Sequence, residues 1–354
     1  MMNEHQPCTC ITHPPVEIIL GLQNNFRRVI LPRMRSMGIA IAVCLAAFIS
    51  GCQEPQASVV NRRGTPVVTR RGYPAGQHVA NSPTAIPNAA LTIPRSSGSL
   101  LPSRALAQPS TPAPKPTCAA VCVIDPRTGK ILYAYNAETR RQVASTQKIV
   151  TALCVCDERR LDKMVTIQAS DNQAPPVKLG LKPGTQYRKI DLLRAMMTGS
   201  FNDVAVCLAR DTAGSVDAFV GRMNARAARM GMRNSHFANP NGLPAAQYST
   251  AHDMAIAACY AYNNRTIRSL INTPQYTFTK ADGTTRTIRS TNKLLGKYPW
   301  VQGMKTGYTN AAGKCLVSCG AYNGSAVVVV VLGSTGSKVW GESLKYLKWA
   351  LGIA

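Results

Sequence analysis

Apolar and polar positions follow regular short periods only from about Thr117 onward. "CAAVCVIDPRTGKILYAY" (118–135) sets two apolar runs around a turn rich in Pro and Gly and predicts a β-hairpin. The spacing from Thr146 to about Cys156 predicts a helix. "KIDLLRAMMTGSFNDVAVCLARDTAG" (189–214) predicts two helical pieces broken at "TGSFN", with Asn202 or Asp203 opening the second. "SVDAFVGRMNARAARMG" (215–231) reads as another helix. "KCLVSCGAYNGSAVVVVVLGS" (314–334) predicts a hairpin around "YNGS", and its second arm is apolar on both faces, which suits the centre of a covered sheet. "SKVWGESLKYLKWAL" (337–351) closes the chain as an amphipathic helix. Strands at both ends with helices between them predict an α/β (α+β) domain over 117–354. Its one antiparallel sheet brings the first and last hairpins together, with helices covering it and a helical subregion beside it.

The patterning before Thr117 is of another kind. "RMRSMGIAIAVCLAAFISGCQ" (33–53) has basic residues, a short apolar run and then small residues. The run is too short to span a bilayer and has the size of an export-signal core. Its ending, "FISGC", resembles a lipobox, which makes Cys52 the expected lipidation site and 1–51 a lipoprotein-type signal, within which a start at Met34 or Met37 would give a compact signal. Residues 52–116 are rich in Pro, Ser, Ala and Arg, lack periodicity and carry the short repeat "RRGTP" and "RRGYP". Such a segment buries too little apolar surface to offset its ordering entropy and is expected to be a disordered tether.

Charge narrows the surroundings. With 41 Lys and Arg against 16 Asp and Glu, the net charge is +25, which favours nucleic acid, acidic lipid or a polyanionic wall. Aromatic residues make up 6% and no nucleic-acid-binding signature is present, so nucleic acid is the weakest of the three. Beyond Cys52, cysteines stand at 118, 122, 154, 156, 207, 259, 315 and 319. Cys118 and Cys122 lie four apart on a predicted strand, about 13 Å and beyond disulfide reach, as do Cys315 and Cys319. Cys154 and Cys156 face two directions on a helix and have no His-rich partner segment, so a zinc site is not expected. Buried free thiols are the expectation.

The chemistry begins with "VASTQKIVTAL" (143–153), where Lys148 stands three residues after Ser145 at the front of an apolar run. A lysine one turn from a serine on the same face can take the hydroxyl proton. A second Ser-x-x-Lys, Ser290 to Lys293, shows that the pair alone decides nothing. "KTG" at 305–307 occurs once, and Ser-x-x-Lys, Ser-Asp-Asn and Lys-Thr-Gly together form the signature of penicillin-binding proteins and class A β-lactamases. For the middle element the literal "SDN" at 170–172 competes with "SFN" at 200–202. Ser200 and Asn202 are preferred because they cap a corner between two helices. Ser170–Asn172 and Ser290–Lys293 are read as decoys.

With these motifs in order, the sequence resembles the serine D-alanyl-D-alanine carboxypeptidases, the low-molecular-mass penicillin-binding proteins, over about 117–354. "VIDPRTGKILYAYNAETRRQVAS", "FANPNGLP", "YSTAHDMA" and "KTGYTNAAGKCLV" carry the same likeness. Phe201 stands where the family usually has Gly or Ala, and "NDVA" replaces "NDAA"; both are expected to narrow or reshape the cleft. The chain ends at Ala354, so the second β-rich domain and C-terminal membrane helix of many members are not expected. The resemblance implies the penicillin-binding protein/β-lactamase-like fold, no metal or cofactor, a peptidoglycan stem peptide ending in D-Ala-D-Ala as substrate, and β-lactams as inhibitors. It assigns Ser145 as nucleophile, Lys148 as base, Ser200 as proton relay and Asn202 as holder of the substrate amide. Lys305 and Thr306 take the terminal carboxylate, Gly307 admits the substrate backbone, and the N–H groups of Ser145 and Tyr308 form the oxyanion hole. A D,D-endopeptidase would use the same residues. The glutamate route by which class A β-lactamases deacylate is closed, because no glutamate lies between Glu158 and Glu342. An inert peptidoglycan-binding lipoprotein is the alternative from another class. The expected location is the periplasmic or envelope side of a bacterial membrane, with the protein held there through its N-terminal lipid.

Overall fold

A computed structural model of the chain describes residues 102–354. Its centre is one five-stranded antiparallel sheet in the order β2-β1-β9-β8-β7. These strands are β1 (Ala120–Ile124), β2 (Ile131–Tyr135), β7 (Val301–Thr309), β8 (Gly313–Tyr322) and β9 (Ser325–Ser334). The first hairpin and the last do join, through the β1–β9 pairing that sets Val121 opposite Val331. Side chains alternate between two faces, so the valine run of β9 divides between two cores. Val328, Val330 and Leu332 meet one apolar cluster with Ala120, Cys122 and Ile124 of β1. Val327, Val329 and Val331 meet the other with Val121 and Val123.

The helices cover both faces. The closing amphipathic helix, α7 (Lys338–Leu351), packs Val339, Tyr346, Leu347 and Ala350 on the second face. On the first face lie α5 (Ala251–Asn263) and the helical subregion of α1 (Lys148–Asp157), α2 (Lys189–Gly199), α3 (Asn202–Ala213) and α4 (Val216–Met230). Helix α5 starts where Thr250 accepts from the N–H of Asp253 at 3.0 Å, and α4 where Ser215 accepts from Ala218 at 3.0 Å; both are side-chain N-caps. The described residues also hold two small two-stranded antiparallel sheets, β3–β4 (Met164–Thr166 with Gln186–Arg188) and β5–β6 (Gln275–Thr279 with Thr285–Arg289), the short helix α6 (Arg265–Ile271) and a 3₁₀ turn at Asp171–Gln173.

The domain boundary lies earlier than expected. Residues 102–116, assigned above to the tether, run along the sheet and α7. Leu106 is buried and its N–H donates to Asp125 at 3.0 Å. Tyr346 donates to the carbonyl of Pro114 at 2.8 Å, and Trp349 to that of Thr111 at 2.9 Å. A proline-rich strap held by its carbonyls carries no hydrophobic period, which is why the sequence pattern missed it. The rest of the tether, the export segment and Cys52 lie outside the described residues. The eight described cysteines are free thiols, all buried except the partly buried Cys118. Burial pushes Cys154 and Cys156 up to about 12, so both act as small apolar side chains.

Candidate active site

Ser145 lies in a 3₁₀ turn, Ala144–Gln147, that leads directly into α1. The helix was expected to begin at Thr146; it begins at Lys148. The difference matters, because side chains three apart eclipse each other in a 3₁₀ turn. Lys148 Nζ therefore reaches Ser145 Oγ at 2.9 Å. Its other two contacts are Asn202 Oδ1 at 2.8 Å and the carbonyl of Asn241 at 2.6 Å. Lys148 is fully buried. Burial first, and the Lys305 charge second, lower its basicity well below that of an ordinary lysine, with Asp203 opposing them.

Ser200 and Asn202 occupy the corner between α2 and α3. Ser200 ends α2 in the left-handed region at φ +64°, and Asn202 opens α3. The amide of Asn202 donates to the carbonyls of Pro175 at 3.2 Å and Pro176 at 2.8 Å, which turns its oxygen toward Lys148. Asp203 anchors the same loop by accepting from Leu179 at 3.0 Å and Gly180 at 2.8 Å.

The third element comes from the edge strand β7. Lys305 is buried, and burial lowers its pKa to about 7. Its Nζ donates to the Thr306 carbonyl at 3.0 Å, and Thr306 Oγ1 lies 2.6 Å from Thr291 Oγ1. At Gly307 a Cβ would lie 3.0 Å from the backbone nitrogens of both Ser145 and Thr146, so only glycine lets β7 approach the nucleophile this closely. A cavity of about 350 Å³ is lined by Ser145, Ser200, Asn202, Thr306, Gly307 and Tyr308 among others. The fold thus assembles the three motifs from three separate elements.

The competing motifs fall elsewhere. Asp171 is buried and bound by Arg210 through contacts of 2.9 and 2.8 Å, so "SDN" is a structural corner. Lys293 is exposed, and the Ser290 hydroxyl accepts from Asn292 at 3.2 Å. Phe201 departs from expectation. Its ring is buried against Gly199, with Arg286 stacked 5.1 Å from the ring centre, and it does not line the cavity.

Sequence reasoning gave no role to Asn241 and Gly242. Gly242 sits at φ +83°, and a Cβ there would lie 2.2 Å from the Ala144 carbonyl oxygen. Gln147 holds this loop by donating to the Asn239 carbonyl at 2.6 Å, and Thr151 does so through the Pro240 carbonyl at 2.7 Å. The available signal was the Asn-Pro and Asn-Gly pairs of "FANPNGLP", strong turn formers placed between elements.

Chemically, the arrangement is a serine beside a lysine of depressed basicity, in a cleft whose lining includes no Asp or Glu. Glu158 pairs with Lys189, and Glu342 binds Thr117 and Lys345; neither lines the cleft.

Comparison with known proteins gives the same answer from a separate direction. The family described as D-alanyl-D-alanine carboxypeptidase (Peptidase_S11) matches residues 107–336. A D-alanyl-D-alanine carboxypeptidase of Mycobacterium tuberculosis is 31% identical over 251 residues, covering 69% of this chain and 86% of that one. A D-alanyl-D-alanine endopeptidase of Pseudomonas aeruginosa is 32% identical over 232 residues, covering 64% and 75%. The crystal structure of a D-alanyl-D-alanine carboxypeptidase from Mycobacterium tuberculosis superposes with a TM-score of 0.66 at 30% identity, covering 70% of this chain and 97% of that one. The match spans well over half the chain and contains all three motifs, so the chain belongs to the serine D-alanyl-D-alanine carboxypeptidase family.

Proposed function

We propose that Ser145 removes the terminal D-alanine from peptidoglycan stem peptides through an acyl-enzyme and is acylated by penicillin in the same way. One observation carries this reading: the three contacts of Lys148. A neutral lysine amine has two protons and one lone pair. The acceptors Asn202 Oδ1 and Asn241 O take the two protons, which leaves the lone pair for the Ser145 hydroxyl once that hydroxyl, which donates to Asn241 O at 3.2 Å, turns to Lys148 Nζ at 2.9 Å. The base is thus aimed at the nucleophile by groups that can only accept.

In the reaction Ser145 Oγ attacks the carbonyl carbon between the two D-alanines, and its proton passes to Lys148. The N–H groups of Ser145 and Tyr308 hold the oxyanion. Collapse breaks the C–N bond, and Ser200 relays a proton to the leaving amine. Water then attacks the ester, Ser145 regains its proton, and the shortened peptide leaves. Asn202, whose N–H groups are taken by Pro175 and Pro176, holds the substrate amide by accepting its N–H at the second lone pair of Oδ1, and Lys305 with Thr306 binds the terminal carboxylate.

Fluorescent penicillin and D-alanine release test the assignment together. Ser145→Ala is expected to abolish both, while Ser170→Ala and Ser290→Ala keep both. Labelling that persists in Ser145→Ala rejects the site.

The setting we propose is that of an exported lipoprotein, on the periplasmic or envelope side and anchored through lipid on Cys52. The lipobox-like "FISGC" and the basic chain support it. Membrane extraction and mass measurement of wild type against Cys52→Ser test it; an unlipidated wild type ends this reading.

A further inference from the structure

Tyr308 on β7 and Lys314 on β8 are register partners, and Lys314 Nζ sits 3.9 Å from the centre of the Tyr308 ring. Both line the same cavity as Ser145. Tyr308 is 55% exposed, and its hydroxyl donates to Asn310 Oδ1 at 2.9 Å, which steadies the ring. A cation over an aromatic face is held in place without being neutralised. Lys314 forms no ion pair among the described residues, and the lining of the cavity includes no Asp or Glu.

The position of this cation along the substrate follows from the sheet. β7 is an edge strand, so an extended peptide can add to its free side. With the terminal carboxylate at Lys305 and Thr306 and the scissile carbonyl at Tyr308, the acyl half of the peptide runs on toward Thr309. Strand residues advance about 3.3 Å each, so the residue preceding the D-Ala-D-Ala pair passes beside Tyr308 and Lys314. A cation with no ion pair among the described residues complements, at that position, a carboxylate on the passing side chain.

We infer that Lys314, seated on Tyr308, is a specificity residue that selects stem peptides bearing a side-chain carboxylate immediately before the D-Ala-D-Ala pair. The inference rests on the carboxypeptidase reading above and deepens it. A partly exposed ion pair changes affinity modestly, so the selection is about two- to fivefold in kcat/KM.

Two synthetic peptides test it, acetyl-L-α-aminoadipyl-D-Ala-D-Ala with the carboxylate and acetyl-L-norleucyl-D-Ala-D-Ala without it. The readout is their ratio of kcat/KM for D-alanine release, which cancels every shared contact. Wild type is expected to favour the anionic peptide by about two- to fivefold, less so in high salt. Lys314→Met brings the ratio to about one, and Lys314→Arg keeps it, on the same ion-pair argument. Penicillin labelling of each variant verifies that the site is intact. A wild-type ratio of one, or a preference unchanged in Lys314→Met, overturns the inference while leaving the carboxypeptidase reading in place. Failure of labelled wild-type protein to release D-alanine from either peptide overturns both.

Discussion

Lys148 Nζ donates to Asn202 Oδ1 at 2.8 Å, joining the first residue of α1 to the first residue of α3. The contact is neutral, and its neutrality keeps the lysine free to act as a base. Asn202→Asp would place a carboxylate there, and an opposite charge at that distance stabilises the ammonium. The Lys148 pKa then rises, so the acid limb of penicillin acylation is expected to move up by about one to two pH units. The neutral-pH rate falls and recovers as pH is raised. Asn202→Ala lowers the rate without that upward shift. Stopped-flow acylation across pH checks both, and an unmoved limb in Asn202→Asp removes Lys148 from the role of base.

Gly242 is the second point of sensitivity. Its positive φ and the 2.2 Å approach of a Cβ to the Ala144 carbonyl leave no room for alanine. Gly242→Ala must push the 3₁₀ turn and Ser145 aside, because the obstructing atom is backbone. We expect acylation to fall by more than about tenfold and stability to drop by about 1–3 kcal/mol. Denaturant unfolding with acylation kinetics measures both. Wild-type kinetics in this variant would show that the turn tolerates displacement.

Phe201 offers the opposite case. Its buried ring fills the space over Gly199 and carries the Arg286 guanidinium, which also donates to the Leu179 carbonyl at 3.3 Å. Phe201→Ala is therefore expected to cost about 3–5 kcal/mol of stability through the cavity it leaves. Penicillin labelling of the folded fraction should remain close to wild type. A loss of labelling with unchanged stability would place Phe201 in the cleft.

The core elements were legible because their periods are strong. The valine run of β9 announced a strand covered on both faces, and the break at "TGSFN" announced the corner that carries Ser200 and Asn202. Lys148 and Lys305 were legible only as motif members. That both are buried, and that Asn241 supplies a carbonyl to Lys148 from 93 residues away, follows from tertiary packing that no local pattern encodes. The strap at 102–116 was missed because proline-rich backbone held by carbonyl hydrogen bonds leaves no hydrophobic period. Helix α5 and the β5–β6 hairpin were passed over for a related reason. The first is alanine-rich and buried almost all round, and the second alternates mostly exposed residues.

Lys305 acts on Lys148 through its charge. Like charge disfavours the Lys148 ammonium, and removing it should let the Lys148 pKa rise. Lys305 exerts this effect only while protonated, and burial has lowered its own pKa to about 7. The two lysines therefore titrate as a coupled pair. Below about pH 7 Lys305 is charged and disfavours the Lys148 ammonium; above it the influence fades unless a bound carboxylate keeps Lys305 protonated. Lys305→Met should thus shift the acid limb of acylation to higher pH, on top of a general loss from the missing carboxylate contact. A neutral ester lacking the terminal carboxylate isolates the charge effect, and its shift should be confined to the limb below about pH 7. A substrate with the carboxylate should show the larger shift, because it holds Lys305 charged through the window. An unmoved profile with both substrates would leave burial alone to account for the basicity of Lys148.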